Sequence, residues 1–308
     1  MNERIVEDLI EMKKKLREYI DKGRTIGQAE VKEEPIITVK MDKSKLKPLK
    51  QVSSCDAQFL AVDCSTRTLK RASNWGIYLM RATFAIVARH RVDWGYNERI
   101  YSVIGDAFTR GSVLQDIRLE LESEMALKQL HRVDSGDFLL LDGPSYFGGP
   151  RKFRIWLYEA SEKKRLNLLC ISKQSRILHD EKGRDFIAAV YMLSPHAIWL
   201  YYPAQEANKD KNLYGDVSVV KLCEDSHHVF RCDVMEYLKG YRVDELISSL
   251  TYLSNDPRCL GYPVPLWLAH DFSAPSDTML VSYYDKVEEA LRLSLIHISE
   301  PTRQAEIS

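Results

Sequence analysis

Phe59-Leu60-Ala61-Val62-Asp63-Cys64-Ser65-Thr66 is a short apolar run that ends on a carboxylate and then turns polar and small. Such a run reads as a buried strand, which places Asp63 at the rim of a sheet where the strand emerges. The pattern recurs at Phe138-Leu139-Leu140-Leu141-Asp142-Gly143-Pro144-Ser145. If the two strands lie side by side and parallel, roughly 4.8 Å apart, their terminal carboxylates converge. Carboxylates that close repel each other, and a divalent cation or a shared proton relieves them. The competing reading makes each aspartate a turn former or a helix cap. Recurrence of the pattern favours the pair.

The residues around these two runs supply a fold. The β-prone stretch Gly76 to Ala88 and a strand near Glu98 to Ile104 follow a polar turn over Ser65 to Asn74, giving a three-strand meander. A helix is expected from Ser112, as cap, to about His131, then the Asp142 strand, a helix over Lys152 to Lys164 and a buried strand Leu166 to Ser172. That order predicts an α/β chain with a ribonuclease H-like mixed sheet flanked by helices. Further strands are expected at Trp199 to Pro203 and Val229 to Val234, separated by a polar excursion from Gln205 to Asp216, and a helix over Val243 to Leu253. His227 and His228 read as surface residues. On the helix wheel Gln115, Arg118, Glu122 and Gln129 form a polar stripe hemmed by apolar residues on both sides, unlike a solvated face. Glu122 is the favoured third carboxylate; Glu124 is the alternative.

Before the sheet, Ile5, Leu9, Met12, Leu16 and Tyr19 give Asn2 to Lys22 the stripe of an amphipathic helix, packed either on its own domain or on a partner. Residues 1–54 are expected to hold this helix and a polar connection with a strand at Ile36 to Val39, and residues 55–292 the main domain. Residues 293–308 resemble the translation of a sequencing-library adapter rather than native sequence.

Composition narrows the function classes. The 308 residues, 45% of them hydrophobic, can bury a sizeable core. Forty-four basic residues balance 44 acidic ones, so no global basic field announces a nucleic-acid partner, although a local groove would suffice. No apolar segment approaches membrane-span length and no secretory leader is visible, so a soluble, cytoplasmic protein is expected. The six cysteines form no CxxC pair, which argues against structural zinc and leaves oxygen ligands for any metal.

Five motifs in order resemble the NurA nuclease family: Val62-Asp63-Cys64-Ser65, a helical glutamate, Asp142-Gly143, Ser172-Lys173, and Gly261-Tyr262-Pro263-Val264-Pro265-Leu266-Trp267-Leu268-Ala269-His270. The likeness runs from about Gln58 to His270. It implies metal ligation by Asp63, Asp142 and Glu122 or Glu124, with Lys173, Tyr262 and His270 as further active-site members. The family's glycine after the first aspartate is Cys64 here, which strains the backbone only if φ is positive. The resemblance also implies a manganese-dependent nuclease acting on single-stranded DNA and DNA ends with 5′-to-3′ polarity. It further implies a homodimer and a partnership with the hexameric ATPase HerA in processing DNA breaks.

The residues fit that chemistry on their own account. Oxygen ligands suit manganese or magnesium, and two such ions about 4 Å apart serve in-line phosphodiester hydrolysis. Lys173 would offset phosphoryl charge, His270 would relay a proton or hold the scissile phosphate, and Tyr262 would stack on a base or hydrogen-bond the backbone. Two rival classes remain. An actin-like or sugar-kinase-like phosphotransferase would use Asp63-Cys64-Ser65-Thr66 as a phosphate turn and Gly148-Gly149 as part of a phosphate loop, although the sequence shows no second glycine-rich loop. A non-catalytic partner of an ATPase would use the N-terminal helix and leave the carboxylates idle.

Overall fold

The computed structural model describes residues 3–22, 36–147, 152–173, 175 and 178–296. Gly148-Gly149 and the adapter-like residues from 297 onward lie outside them. Eleven strands and seven α-helices follow in the order α1 (Glu3–Lys22), β1 (Ile37–Val39), β2 (Leu46–Pro48), β3 (Phe59–Arg71), β4 (Trp75–Ala88), β5 (Arg91–Ile104), α2 (Ala107–Gln129), β6 (Phe138–Asp142), α3 (Lys152–Lys164), β7 (Asn167–Ser172), β8 (Leu178–Asp180), α4 (Phe186–Leu193), β9 (Trp199–Gln205), β10 (Gly215–Lys221), β11 (Phe230–Met235), α5 (Val243–Thr251), α6 (Val264–Ser273) and α7 (Asp277–Ile296).

Nine strands form one mixed sheet in the order β2-β9-β10-β11-β7-β6-β3-β4-β5. Its central part is the expected ribonuclease H-like arrangement: the meander β3-β4-β5 is antiparallel, and β6 and β7 are added in parallel beside β3. The apolar runs form the middle of this sheet because they are covered on both faces. Phe59, Leu60, Ala61, Val62, Leu139 and Leu140 are at most 1% exposed. Each large side chain among them contributes about 1.5–3 kcal/mol of burial.

The helices close both faces and one end. α1 lays Ile5, Met12 and Leu16 against Leu69, Ile77 and Leu79 of the meander and against Tyr283 and Val287 of α7. Its buried Asp8 accepts from Arg99 Nε at 3.0 Å and from the Ile100 amide at 2.8 Å. The amphipathic stripe of α1 is thus used within the chain.

Four expectations need correction. The polar turn over Ser65 to Asn74 is strand as far as Arg71, held by its pairing with β4. α2 starts at Ala107, not at Ser112, because Asp106 caps it by accepting from the Thr109 amide at 2.7 Å. The end of the polar excursion is β10, a fully buried strand whose Asp216 is satisfied by Tyr202 Oη at 2.5 Å and the Ala207 amide at 2.7 Å. The polar connection before β3 carries the edge strand β2, and β1 pairs with β8 in a small sheet of its own. No helix of the described residues is long and apolar enough to cross a membrane.

Candidate active site

The register Val62↔Leu141 is the last parallel pair between β3 and β6. One residue further on are Asp63 and Asp142, neighbours across adjacent strands. There β6 stops: Gly143 takes φ +105°, a conformation that favours glycine, and its amide donates to Ile171 O. β3 continues, paired on one side only by β4, so its edge from Asp63 to Thr66 is left open where β6 has ended. α2 and α6 flank this notch. The resulting cavity, of about 420 Å³, is lined by Asp63, Asp142, Arg118, Gln115 and His270 among others.

Asp63 is tied on both oxygens. The Cys64 amide donates to Oδ1 at 2.8 Å, and His270 Nδ1 donates to Oδ2 at 2.7 Å. Burial pushes the Asp63 carboxyl up, but the His270 bond, the Arg118 charge and the Cys64 amide outweigh it, so its pKa ends below the ordinary value. The same bond to Asp63 raises the pKa of His270. Asp142 moves the other way: burial, then repulsion from Asp63, holds it above the ordinary carboxylate value despite Lys173 and Arg118 nearby. Asp142 is therefore the under-compensated member of the carboxylate couple that adjacent parallel strands imply. Cys64 sits in extended strand opposite Ala82, so the residue that replaces the family's glycine carries no backbone strain.

The two helical glutamates part company. Glu122 is fully buried; Arg154 Nη2 donates to its Oε2, and Arg118 Nε lies 3.1 Å from its Oε1 without the alignment of a hydrogen bond. Burial raises its pKa from 4.5 to about 7 against the pull of both arginines. Asp63 and Asp142 are close enough to raise it further. Glu124 is on another face of α2, paired with Lys128 at 3.7 Å, and is not brought to the cavity, because at two residues from Glu122 it points about 160° away. Lys173 follows β7, and its ammonium rests 4.7 Å from the centroid of the Tyr262 ring. Tyr262 is buried, packed on Phe230 at 5.3 Å. Arg118, which lines the cavity, was visible in the sequence only as one member of the α2 stripe. Its pKa is pulled down by burial and raised beyond that by Glu122, Asp63 and Asp142.

A glutamate held up in this way has a consequence for stability. Between the ordinary 4.5 and about 7 the folded chain keeps a proton on Glu122 that the unfolded chain releases, so this group's contribution is lost as pH rises through that window. Glu122→Gln should flatten the fall of the unfolding midpoint between about pH 4.5 and 7. An unchanged slope in the variant would remove the titration from Glu122.

Among the described residues no group of three or more His, Cys, Asp or Glu side chains forms a ready metal cage. Hard divalent cations bind through one or two carboxylates, with water and substrate phosphate completing the shell, so the Asp63 and Asp142 donor set fits one. Glu122 Oε1, buried and without a hydrogen bond, is a third oxygen nearby.

The NurA domain model matches residues 57–273. The chain belongs to the NurA family. All the motif-bearing residues of the candidate site lie within that match. Solved NurA structures share the fold. The NurA nuclease from Sulfolobus solfataricus aligns with TM-score 0.61 at 16% identity, over 97% of this chain and 99% of that one. A second NurA structure aligns at 0.58 and 11% identity, over 94% and 97%. A NurA bound to dAMP and manganese aligns at 0.50 and 12%, over 89% and 93%. At such identities the likeness is one of fold. No curated protein sequence matches the chain.

Proposed function

We propose that this NurA-family chain is a divalent-metal-dependent deoxyribonuclease that hydrolyses phosphodiester bonds in single-stranded DNA and at DNA ends. The observation that carries the reading is the juxtaposition of Asp63 and Asp142 at the end of the β3·β6 ladder, in one open cavity with His270 and Arg118. Family membership and the manganese and dAMP bound to a NurA of the same fold support it.

Asp63 and Asp142 hold the cation, manganese or magnesium, with Glu122 Oε1 as the third oxygen available to it. The bound cation supplies Lewis acidity at the scissile phosphate and a nucleophile at neutral pH. Arg118 and Lys173 offset charge on the phosphoryl oxygens, which grows in the transition state. The Tyr262 ring holds the Lys173 ammonium in place through its π face. His270, with Nδ1 committed to Asp63, has Nε2 to carry a proton, and the bond to Asp63 raises its pKa and so favours the protonated ring. It can be delivered to the departing 3′ oxygen.

The finer expectations rest on family membership. They are 5′-to-3′ exonuclease and single-strand endonuclease action, a homodimer, a HerA-type hexameric ATPase partner, and a role in end resection during break repair. The phosphotransferase alternative needs a turn after Asp63, whereas β3 runs extended through Asp63-Cys64-Ser65-Thr66.

End-labelled single-stranded DNA incubated with the purified chain tests the reading. Degradation in manganese or magnesium, and none in EDTA, is the expected result, with label released first from 5′-labelled strands. Intact DNA in both metals, or thermal stabilisation by ATP, would reject it.

A further inference from the structure

A second cavity, of about 460 Å³, opens on the other side of Lys173, between α4 and the loop before β11. Lys173 and Ser175 come from the end of β7, Tyr191 from α4, and His227 and His228 from the loop, with Ala188 and Val229 as apolar lining. Tyr191 Oη and His227 Nδ1 are 3.2 Å apart, bridging the two walls. Among the described lining residues the one carboxylate, Asp185, is already used to cap α4 by accepting from the Ala188 amide at 2.8 Å. Cationic and neutral donors thus face the cavity beside apolar surface, at a volume in the range of small-molecule sites.

The position of His228 is built rather than accidental. Its amide donates to Ser226 Oγ at 3.0 Å, and Ser226 Oγ donates to Leu260 O at 3.0 Å. Gly261, at φ +88°, lies so close that a Cβ there would come within 2.3 Å of Ser226 Oγ. The loop is thereby locked to the turn that carries Tyr262. A ladder of rings follows: His228 on Phe230 at 6.3 Å, Phe230 on Tyr262 at 5.3 Å, and the Lys173 ammonium over Tyr262. It runs from the second cavity to the residue whose charge acts on Asp142 and His270.

We propose that this cavity binds the nucleotide of a single strand adjacent to the scissile phosphate, with His228 stacking on its base and Tyr191 and His227 holding its phosphate. The inference rests on the nuclease reading for the identity of the strand. It adds a subsite: Lys173 lines the cavity and is close enough to act on Asp142 and His270, so one strand can reach both. Stacking on a ring is tolerant of sequence, so the subsite would select single strands rather than particular bases.

Fluorescence anisotropy in EDTA separates this inference from cleavage. A labelled oligothymidine of about ten nucleotides should bind His228→Ala about tenfold more weakly than the wild type, while His228→Phe retains most of the affinity. Tyr191→Phe, which removes only a hydroxyl, should weaken binding about threefold, as loss of one hydrogen bond does. Thymidine 5′-monophosphate should show a smaller loss, because one nucleotide cannot fill both sites. Equal affinity across the variants, or equal losses for the long and short ligands, would overturn the subsite. A wild type that binds the oligomer but fails to cleave it in either metal would sink the nuclease reading while leaving the subsite to be judged by binding.

Discussion

Replacing either Asp63 or Asp142 with alanine is expected to lower metal-dependent cleavage of single-stranded DNA by about three orders of magnitude or more. The magnitude follows from what the pair holds: Lewis-acid stabilisation of the phosphoryl transition state contributes several kcal/mol, and each 1.36 kcal/mol is a factor of ten. The loss should appear in kcat. Neither change should unfold the chain. Asp142 is held above its ordinary pKa by burial and by Asp63, so removing its carboxylate relieves repulsion, whereas Asp63→Ala gives up the bonds from His270 and the Cys64 amide that hold Asp63 below its ordinary value. Lost cleavage, with an unfolding midpoint equal to or above that of the wild type for Asp142→Ala and modestly below it for Asp63→Ala, is the expected combination. Cleavage within tenfold of the wild type in either variant would place the cation elsewhere.

The largest stability effect is expected at a buried ion pair that takes no part in this chemistry. On β11, Arg231 and Asp233 point to the same face, and both are essentially unexposed, at 1% and 0%. Arg231 donates Nε to Asp233 Oδ1 at 2.7 Å and Nη2 to Oδ2 at 2.8 Å, while the Ser145 amide and hydroxyl donate to Oδ2 at 2.9 and 2.8 Å. Ser145 follows the Asp142-Gly143-Pro144 turn, so this network anchors the segment by which the chain leaves the candidate site. Arg231→Met leaves a buried carboxylate without its counter-charge and should cost about 3–5 kcal/mol in urea unfolding. Arg231→Met with Asp233→Leu removes both charges and should recover most of it. A single variant within about 1 kcal/mol of the wild type would contradict this.

The pattern of apolar runs was legible because these strands sit mid-sheet and need apolar residues on both faces. The same logic missed β10, whose Asp216 and Ser218 are buried through hydrogen bonds that no hydropathy pattern reveals. It also ended β3 too early. Ser65 to Arg71 form a ribbon with β4 away from the fully buried centre, where polar residues are tolerated and strand and turn look alike in sequence. The carboxylate pair was legible from repetition alone. The choice between Glu122 and Glu124 was not, since it depends on which face of α2 meets the sheet. Burial turns Glu122 inward onto Arg154 and Arg118 and leaves Glu124 to Lys128. Arg118 was readable as a polar residue out of place, but its position between three acids required the fold. The cavity beside Lys173 was equally hidden, because His227 and His228 acquire a context only when α4 and the Leu260-Gly261 turn meet their loop.

Anomalous scattering from crystals soaked in manganese tests the central claim most directly. The account predicts a peak within about 2.0–2.6 Å of oxygens from both Asp63 and Asp142, the range of hard-cation ligation. Manganese bound only elsewhere, with the two carboxylates bridged by no ion, would contradict it.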